Sequence, residues 1–432
     1  MLSRVAGVVA LDHLAFMIPV ALILLLAQAG AAFTGVPLQG FMGGVPTRRV
    51  SCAVDPQHHS VLRLAGGAMG TAPAVLGAMA ALPVGAAAVV VWLLQHMHMS
   101  VGMHAPTAKQ LEEEDTEQHA LFRHVPELKQ RLAWRQLGNF PTPVHRGRCK
   151  AARAAGCGDA PQTVSFYVKR EDLSSQFYGG NKVRTLQHQL AVIEARLEHE
   201  GGGAERDIVV FGSGGSNQVV ATLVHADRLS LPANVSAAWI ADPPDLDNAL
   251  NMLSALSLRM KAYTTWGSPV SLATALLRAV LRGSFLLPLG GNNPSGVLGQ
   301  VSGALELGEQ IESGHLPDVD GIYVPVGSSC TISGLIIGVA LARRLGLKAF
   351  SRPGFRLHLV PIHHVFAALN RAMGFYTAPF TRYVPLTVRH SIHATCTQLT
   401  SLGGPDVLSE VAAPRLCSWL QERAALACMH AD

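Results

Sequence analysis

Phe177-Tyr178-Gly179-Gly180-Asn181-Lys182-Val183-Arg184 decides how this chain is read. Lys182 stands directly after Gly-Gly-Asn, where an amphipathic run begins. Val183, Leu186, Leu190 and Ile193 recur at helical spacing, so a helix is predicted to bury that stripe. Lys182 then occupies its first turn, where the positive end of the helix dipole disfavours an ammonium and favours a neutral amine. A neutral amine held in place is what Schiff-base chemistry with an aldehyde requires. A solvated loop lysine is the commoner use of this residue type, and the flanking sequence argues against it here.

Outward from this stretch, apolar runs alternate with helical patterns. Residues 208–211 are predicted as a strand, followed by a Gly-rich turn and a helix over 219–229. Residues 235–240, 285–287, 322–326 and 355–360 repeat the strand pattern. Such alternation implies a parallel sheet covered by helices, an α/β fold. Two strand-to-helix turns are rich in small residues, Gly214-Gly215-Ser216-Asn217-Gln218 and Gly327-Ser328-Ser329-Cys330-Thr331-Ile332-Ser333-Gly334. A turn of that kind leaves successive N–H groups open at a helix N-terminus, where an anion is bound. No internal repeat is present.

Val168-Lys169-Arg170-Glu171-Asp172-Leu173 followed by G-G-N-K-x-R resembles the pyridoxal-phosphate enzymes of fold type II. The branch it is most similar to is that of 1-aminocyclopropane-1-carboxylate deaminase and D-cysteine desulfhydrase. Leu137-Gly138-Asn139-Phe140-Pro141-Thr142-Pro143-Val144 resembles the branch's entry motif, and Gly290-Gly291-Asn292-Asn293-Pro294-Ser295-Gly296 resembles its G-G-x-N-x-x-G turn. With the two turns above, the motifs follow in family order over residues 130–360. The resemblance implies two parallel-sheet α/β domains with pyridoxal 5'-phosphate in the cleft between them. A small subdomain over about residues 184–282 is inserted into a catalytic region spanning 106–432.

The same resemblance assigns roles. Lys182 carries the cofactor and afterwards acts as the base. Asn181, Asn217, Gly327, Ser328, Ser329, Cys330 and Thr331 bind the cofactor; Ser216, Asn217 and Gln218 bind the substrate, Ser216 and Gln218 by its carboxylate. Relatives usually show G-S/T-G-G/T-T-x-A-G in the phosphate loop, so Ser329, Cys330 and Ser333 make this loop bulkier. The branch closes with D-P-V-Y-x-G/A-K, which supplies a tyrosine. No such segment follows Val360, and the chain is expected to lack the usual C-terminal end.

Composition points to an unusual N-terminus. Hydrophobic residues make up 49% and charged residues 15%, and the excess lies in the first hundred residues. No Asp, Glu, Lys or Arg occurs from His13 to Thr47 or from Leu64 to Ala108. Residues 14–33 have about the 20-residue length needed to cross a bilayer core, and 73–94 form a second candidate. The extension over 1–105 is therefore expected to be a membrane-inserted anchor. The competing readings are a signal peptide cleaved near Ala27-Gln28-Ala29, an organelle transit segment, or a stretch absent from the mature protein. Arg48, Arg49 and Arg63 would hold the intervening loop in the cytosol. The seven dispersed cysteines, with no C-x-x-C pair, point instead to a reducing compartment for the catalytic part. The net charge of +5 is scattered, so no nucleic acid is expected as a partner. His96-Met97-His98-Met99 is read as an interfacial segment, with no metal expected, and Glu112-Glu113-Glu114-Asp115 as a solvated linker or helix start.

A small amino acid is the expected substrate and a homo-oligomer the expected assembly. β-Elimination from D-cysteine, giving pyruvate, ammonia and sulfide, needs a base and an electron sink. 1-Aminocyclopropane-1-carboxylate has no hydrogen on Cα, so its opening needs a further nucleophile or acid, the role of the family tyrosine. The first reading is therefore a D-cysteine desulfhydrase-like lyase, and the alternative is the deaminase. A related D-amino-acid dehydratase or racemase is a further option. The contrasting class is a membrane-tethered member that binds pyridoxal phosphate, or keeps the fold, without catalysis.

Overall fold

The computed structural model describes residues 102–150, 163–200, 206–240, 246–267, 269–361 and 380–411. Helices α1 (Ala108–Glu113) and α2 (Ala120–His124) precede a hairpin of β1 (Val144–Lys150) and β2 (Thr163–Lys169). Next come α3 (Lys182–His199), β3 (Arg206–Ser213), α4 (Asn217–Arg228), β4 (Ala233–Ile240), α5 (Leu246–Ser257) and β5 (Ala262–Trp266). The chain continues through α6 (Pro269–Leu281), β6 (Phe285–Leu287), α7 (Pro294–Glu312), β7 (Gly321–Val326) and α8 (Cys330–Arg344). Strand β8 (Arg356–Pro361), α9 (Phe380–Ser401) and α10 (Leu408–Val411) complete it. The segments 14–33 and 73–94 and the His96-Met99 run lie outside these residues. Among the described residues no helix is long and apolar enough to cross a membrane.

Helix α3 begins at Lys182, and Val183, Leu186, Leu190 and Ile193 are fully buried, as the spacing requires. Burying each such side chain contributes about 1.5–3 kcal/mol. The helix is more than amphipathic, however. Fourteen of its 18 residues are buried, among them Arg184, Gln187, His188, Gln189 and Glu194. A helix enclosed all round must find partners for its polar side chains, because an unpaired buried polar group is costly. Gln189 Nε2 donates to Gly291 O at 2.9 Å and to Asn293 Oδ1 at 2.7 Å. His188 Nδ1 meets Ala133 O at 2.9 Å, and its Nε2 meets Nε2 of buried His119 at 3.1 Å. Burial pushes His188 down to about 4, so the pair is neutral near pH 7.

The acidic stretch expected as a solvated linker or helix start instead ends α1 and is partly built into this packing. Thr107 and Gln110 form a capping box that starts α1. Glu113 and Glu114 both pair with the buried Arg135, at 2.6 and 3.0 Å, and Arg135 also reaches Glu194 of α3. Charges spaced for solvent in the sequence are thus matched by one distant guanidinium.

Strands β3 to β6 form one parallel sheet in the order β5-β4-β3-β6. Residues Ile208, Val210, Phe211 and Phe285 to Leu287 fill its interior. The order matters for function. From β3 the chain steps to β4 and β5, then returns to the other side of β3 as β6. That reversal opens a crevice beyond the carboxyl ends of β3 and β6, the usual place for a ligand in an open α/β sheet. Strands β7 and β8 form a separate parallel pair, and α8 packs against α7 and α9. The antiparallel β1–β2 pair departs from the expected run of parallel strands, and β5, parallel to β4, is an exposed edge strand that the apolar pattern does not mark.

Candidate active site

Four loops meet at one place, and local chemistry shapes each of them. The first precedes α3. Asn181 is its N-cap without a side-chain capping bond, which leaves Asn181 Nδ2 to donate to Thr331 Oγ1 at 2.9 Å. Lys182 follows, half-buried as a residue but with its amine enclosed; Nζ donates to Gly290 O at 3.1 Å. Burial lowers the amine from the usual lysine range, and the nearby Cys330 sulfur opposes that shift slightly. Burial is thus a cause, beside the position at the helix start, for this amine to give up its proton more easily than an ordinary lysine.

The second loop follows β6. Gly290 has φ +62°, and a Cβ there would lie 2.0 Å from Ser328 Oγ and 3.2 Å from Lys182 Nζ. Only glycine fits, and the same measurement shows that Gly290, Ser328 and Lys182 converge. Asn293 caps α7 by accepting from Gly296 N at 2.8 Å, with Pro294 at the first helical position.

The third loop follows β3. Gly215 has φ +72°, and a Cβ there would collide with the Asn248 backbone, 1.9 Å from its oxygen. Ser216 caps α4, its Oγ accepting from Gln218 N at 3.3 Å, which leaves its own O–H to donate. Gln218 is fully buried, yet neither Oε1 nor Nε2 has a partner among the described residues. Its Nε2 sits 3.1 Å from where a Gly291 Cβ would be, so the amide faces the turn that holds Lys182. Leaving such a group unpaired costs roughly 1–3 kcal/mol, which a bound polar ligand would offset.

The fourth loop, residues 327–329, joins β7 to α8. Gly327 faces open space. Ser329 has φ +68°, a left-handed conformation that costs a non-glycine residue about 1–3 kcal/mol. Its hydroxyl meets Thr387 Oγ1 at 2.8 Å, so α9 holds the strained residue and occupies the group expected to face phosphate. Asn292 Nδ2 donates to Ser328 O at 2.8 Å and Ser391 Oγ donates to Asn292 Oδ1 at 2.9 Å, a second tie from α9. Cys330 is buried against Gly291 O and Thr185, and burial pushes its thiol up to about 11, so it stays protonated.

The site residues singled out from sequence thus lie on these loops or in the first turn of the helix that follows each. Ser391 and Thr387 carry no such signal, whereas Asn292 and Tyr178, whose hydroxyl donates to Asn217 Oδ1 at 2.8 Å, stand inside quoted motifs without an assigned role. Tyr178 borders the Gly-Gly-Asn-Lys turn, and Asn292 lies within the G-G-x-N-x-x-G turn.

The arrangement suits an aldehyde-bearing phosphate ester. A readily neutral amine is available for the aldehyde, and a loop at a helix N-terminus, with the Ser328 and Thr331 hydroxyls, for the phosphate. An unsatisfied amide and a free serine O–H remain for a carboxylate. Pyridoxal phosphate has that chemistry, and the residues present fit it.

Residues 136–373 match the family described as "Pyridoxal-phosphate dependent enzyme". The chain is 29% identical over 231 residues to the bifunctional D-cysteine desulfhydrase/1-aminocyclopropane-1-carboxylate deaminase, mitochondrial, of Arabidopsis thaliana, covering 50% of this chain and 53% of that protein. It is 30% identical over 194 residues to nocardicin C-9' epimerase of Nocardia uniformis subsp. tsuyamanensis, covering 43% and 55%. It is 31% identical over 185 residues to D-cysteine desulfhydrase of Serratia proteamaculans, covering 40% and 52%. The chain therefore spans about half the length of the curated relatives it matches. With the site and the match in agreement, this chain belongs to the pyridoxal-phosphate-dependent enzymes, and it is similar to their deaminase and D-cysteine desulfhydrase branch.

Proposed function

We propose that the chain is a pyridoxal-phosphate-dependent lyase that converts D-cysteine to pyruvate, ammonia and sulfide. The observation that carries this reading is the convergence of Lys182, Gly290 and Ser328, with the unpartnered Gln218 amide facing the same turn. When bound, pyridoxal phosphate supplies the electron sink that acidifies the Cα–H of an amino acid. Lys182 would carry the cofactor and its Nζ would take the Cα proton, a role its burial favours by weakening the amine's hold on its own proton. Gly327, Ser328, Ser329, Cys330 and Thr331 hold the phosphate through the N–H groups at the start of α8. Asn181 steadies Thr331 in that loop. Ser216 donates its hydroxyl proton to the substrate carboxylate, Gln218 Nε2 adds a second donor, and Asn217 orients the cofactor ring. The smaller subdomain of this reading is built on the β5-β4-β3-β6 sheet, with the cofactor between it and the β7–α8 unit.

Ser216→Ala tests the carboxylate site. Loss of one hydrogen bond to a charged group costs about 1.5–3 kcal/mol, so kcat/KM for D-cysteine should fall roughly 10- to 150-fold. The visible absorbance of the bound cofactor should be unchanged. A wild-type holoenzyme that releases no sulfide or pyruvate from D-cysteine, yet opens 1-aminocyclopropane-1-carboxylate, would replace the lyase reading with the deaminase. Inversion of a D-amino acid without sulfide release would make it a racemase.

Membrane attachment through residues 14–33 and 73–94 is also part of this proposal, supported by their apolar length and absence of charge. The full chain should stay with membranes after a carbonate wash, and its release into the soluble fraction would refute attachment.

A further inference from the structure

The two residues before the Gly179-Gly180 turn are fastened to one side of α4. The Tyr178 hydroxyl donates to Asn217 Oδ1 at 2.8 Å, His225 Nε2 donates to Tyr178 O at 3.1 Å, and the Arg228 guanidinium lies 3.6 Å from the Phe177 ring centroid. His225 and Arg228 follow Asn217 by eight and eleven residues, which at about 3.6 residues per turn keeps all three on one side of the helix. The turn carrying Lys182 and the loop carrying Ser216 are thereby joined.

The Tyr178–Asn217 bond does more than join them. Asn217 is exposed at the first position of α4, where no other side-chain hydrogen bond among the described residues chooses which end of its amide faces the site. A phenol that donates to Oδ1 makes that choice. Oδ1 is occupied as an acceptor, and the two N–H groups of Nδ2 are what Asn217 has left to offer. Burial raises the Tyr178 phenol, so the donor keeps its proton across the neutral range. Burial likewise keeps His225 neutral, with Nε2 carrying the hydrogen and Nδ1 buried without a partner among the described residues.

We propose that Tyr178 is a positioning residue: it presents the Asn217 amide as a hydrogen-bond donor to bound pyridoxal phosphate and couples the Lys182 turn to the Ser216 loop. The inference rests on the cofactor reading above. It predicts that the effect of Tyr178 is transmitted through Asn217 alone.

The test is a double-mutant cycle on the full chain, with the dissociation constant for pyridoxal phosphate read by equilibrium titration of cofactor absorbance. Removal of one neutral hydrogen bond should weaken binding about two- to tenfold in Tyr178→Phe. Asn217→Ala should weaken it by at least as much. Introducing Tyr178→Phe into the Asn217→Ala background should then change the constant by less than about twofold. The thermal midpoint of Tyr178→Phe should match that of the wild type, which separates positioning from a loss of stability. Unchanged binding in Tyr178→Phe, or losses that multiply in the double variant, would overturn the inference. Borohydride labelling of Lys182 in the wild type is the control. If it labels and the cycle fails, only the role of Tyr178 is wrong. If Lys182 does not label, the cofactor reading itself is wrong and the inference falls with it.

Discussion

Glu306→Ala is expected to cost about 3–5 kcal/mol of folding stability, a large part of the 5–15 kcal/mol typical of a domain. Glu306 sits on α7 with only 2% of its side chain exposed, beside the equally buried Arg184 of α3. Arg184 Nη1 and Nη2 donate to its two oxygens at 3.0 and 2.9 Å, and Lys169 of β2 donates to it as well. Arg184 also forks onto Glu171 at 2.7 and 2.8 Å. Burial alone would raise the Glu306 carboxyl, but the Arg184 and Lys169 cations outweigh it and hold it at about 2. Removing the carboxylate leaves a buried cation with half its partners.

The sign of the pH dependence follows from the same shift. A carboxyl that titrates near 4.5 unfolded and near 2 folded binds more protons in the unfolded chain between those values. Its contribution is complete above pH 4.5 and is lost as pH falls towards 2. Urea denaturation of wild type and Glu306→Ala at pH 7 and pH 3 checks both statements, with the gap between the two proteins narrowing at the lower pH. Equal midpoints at pH 7 would show that the network contributes nothing.

Lys182→Ala is the second large effect. It is expected to abolish covalent attachment of pyridoxal phosphate, the visible absorbance that accompanies it, and turnover. Among the described residues no second amine stands in the quoted motif ready to take over. Lys169, the other lysine of the motif region, has its Nζ held by Thr142 O, Glu306 and Gln310. Folding should survive, since the Lys182 side chain makes one hydrogen bond among the described residues, to Gly290 O. Retained absorbance in a folded Lys182→Ala protein would move the attachment site elsewhere.

Local signals made the centre of this site legible. The Gly-Gly-Asn-Lys turn, the capped turn after β3 and the G-G-x-N-x-x-G turn each combine glycine, a capping residue and the onset of helical period. Such features act over a few residues, so a sequence reader sees them. Strand β5 was invisible for the opposite reason: Ala262, Tyr263, Thr264 and Thr265 are exposed, so no buried alternation marks it. The β1 strand reads Val-His-Arg-Gly-Arg-Cys-Lys, and only its register with β2 makes it a strand. Pairings across the chain leave no local pattern at all. Arg184 with Glu306, His119 with His188, Ser329 with Thr387 and Tyr178 with Asn217 are chosen by packing around an enclosed helix and a crevice. The amphipathic reading of α3 captured its stripe of Val183, Leu186, Leu190 and Ile193. It missed that the polar side is buried too, and that burial is what requires these partners.

The central claim is that Lys182 is the lysine that carries the cofactor. Borohydride reduction of the holoprotein, followed by peptide mass mapping, tests it most directly. The expected result is a pyridoxyl adduct on the peptide containing Lys182 and on no other lysine; an adduct on Lys169, or none on a protein that retains bound pyridoxal phosphate, would contradict it.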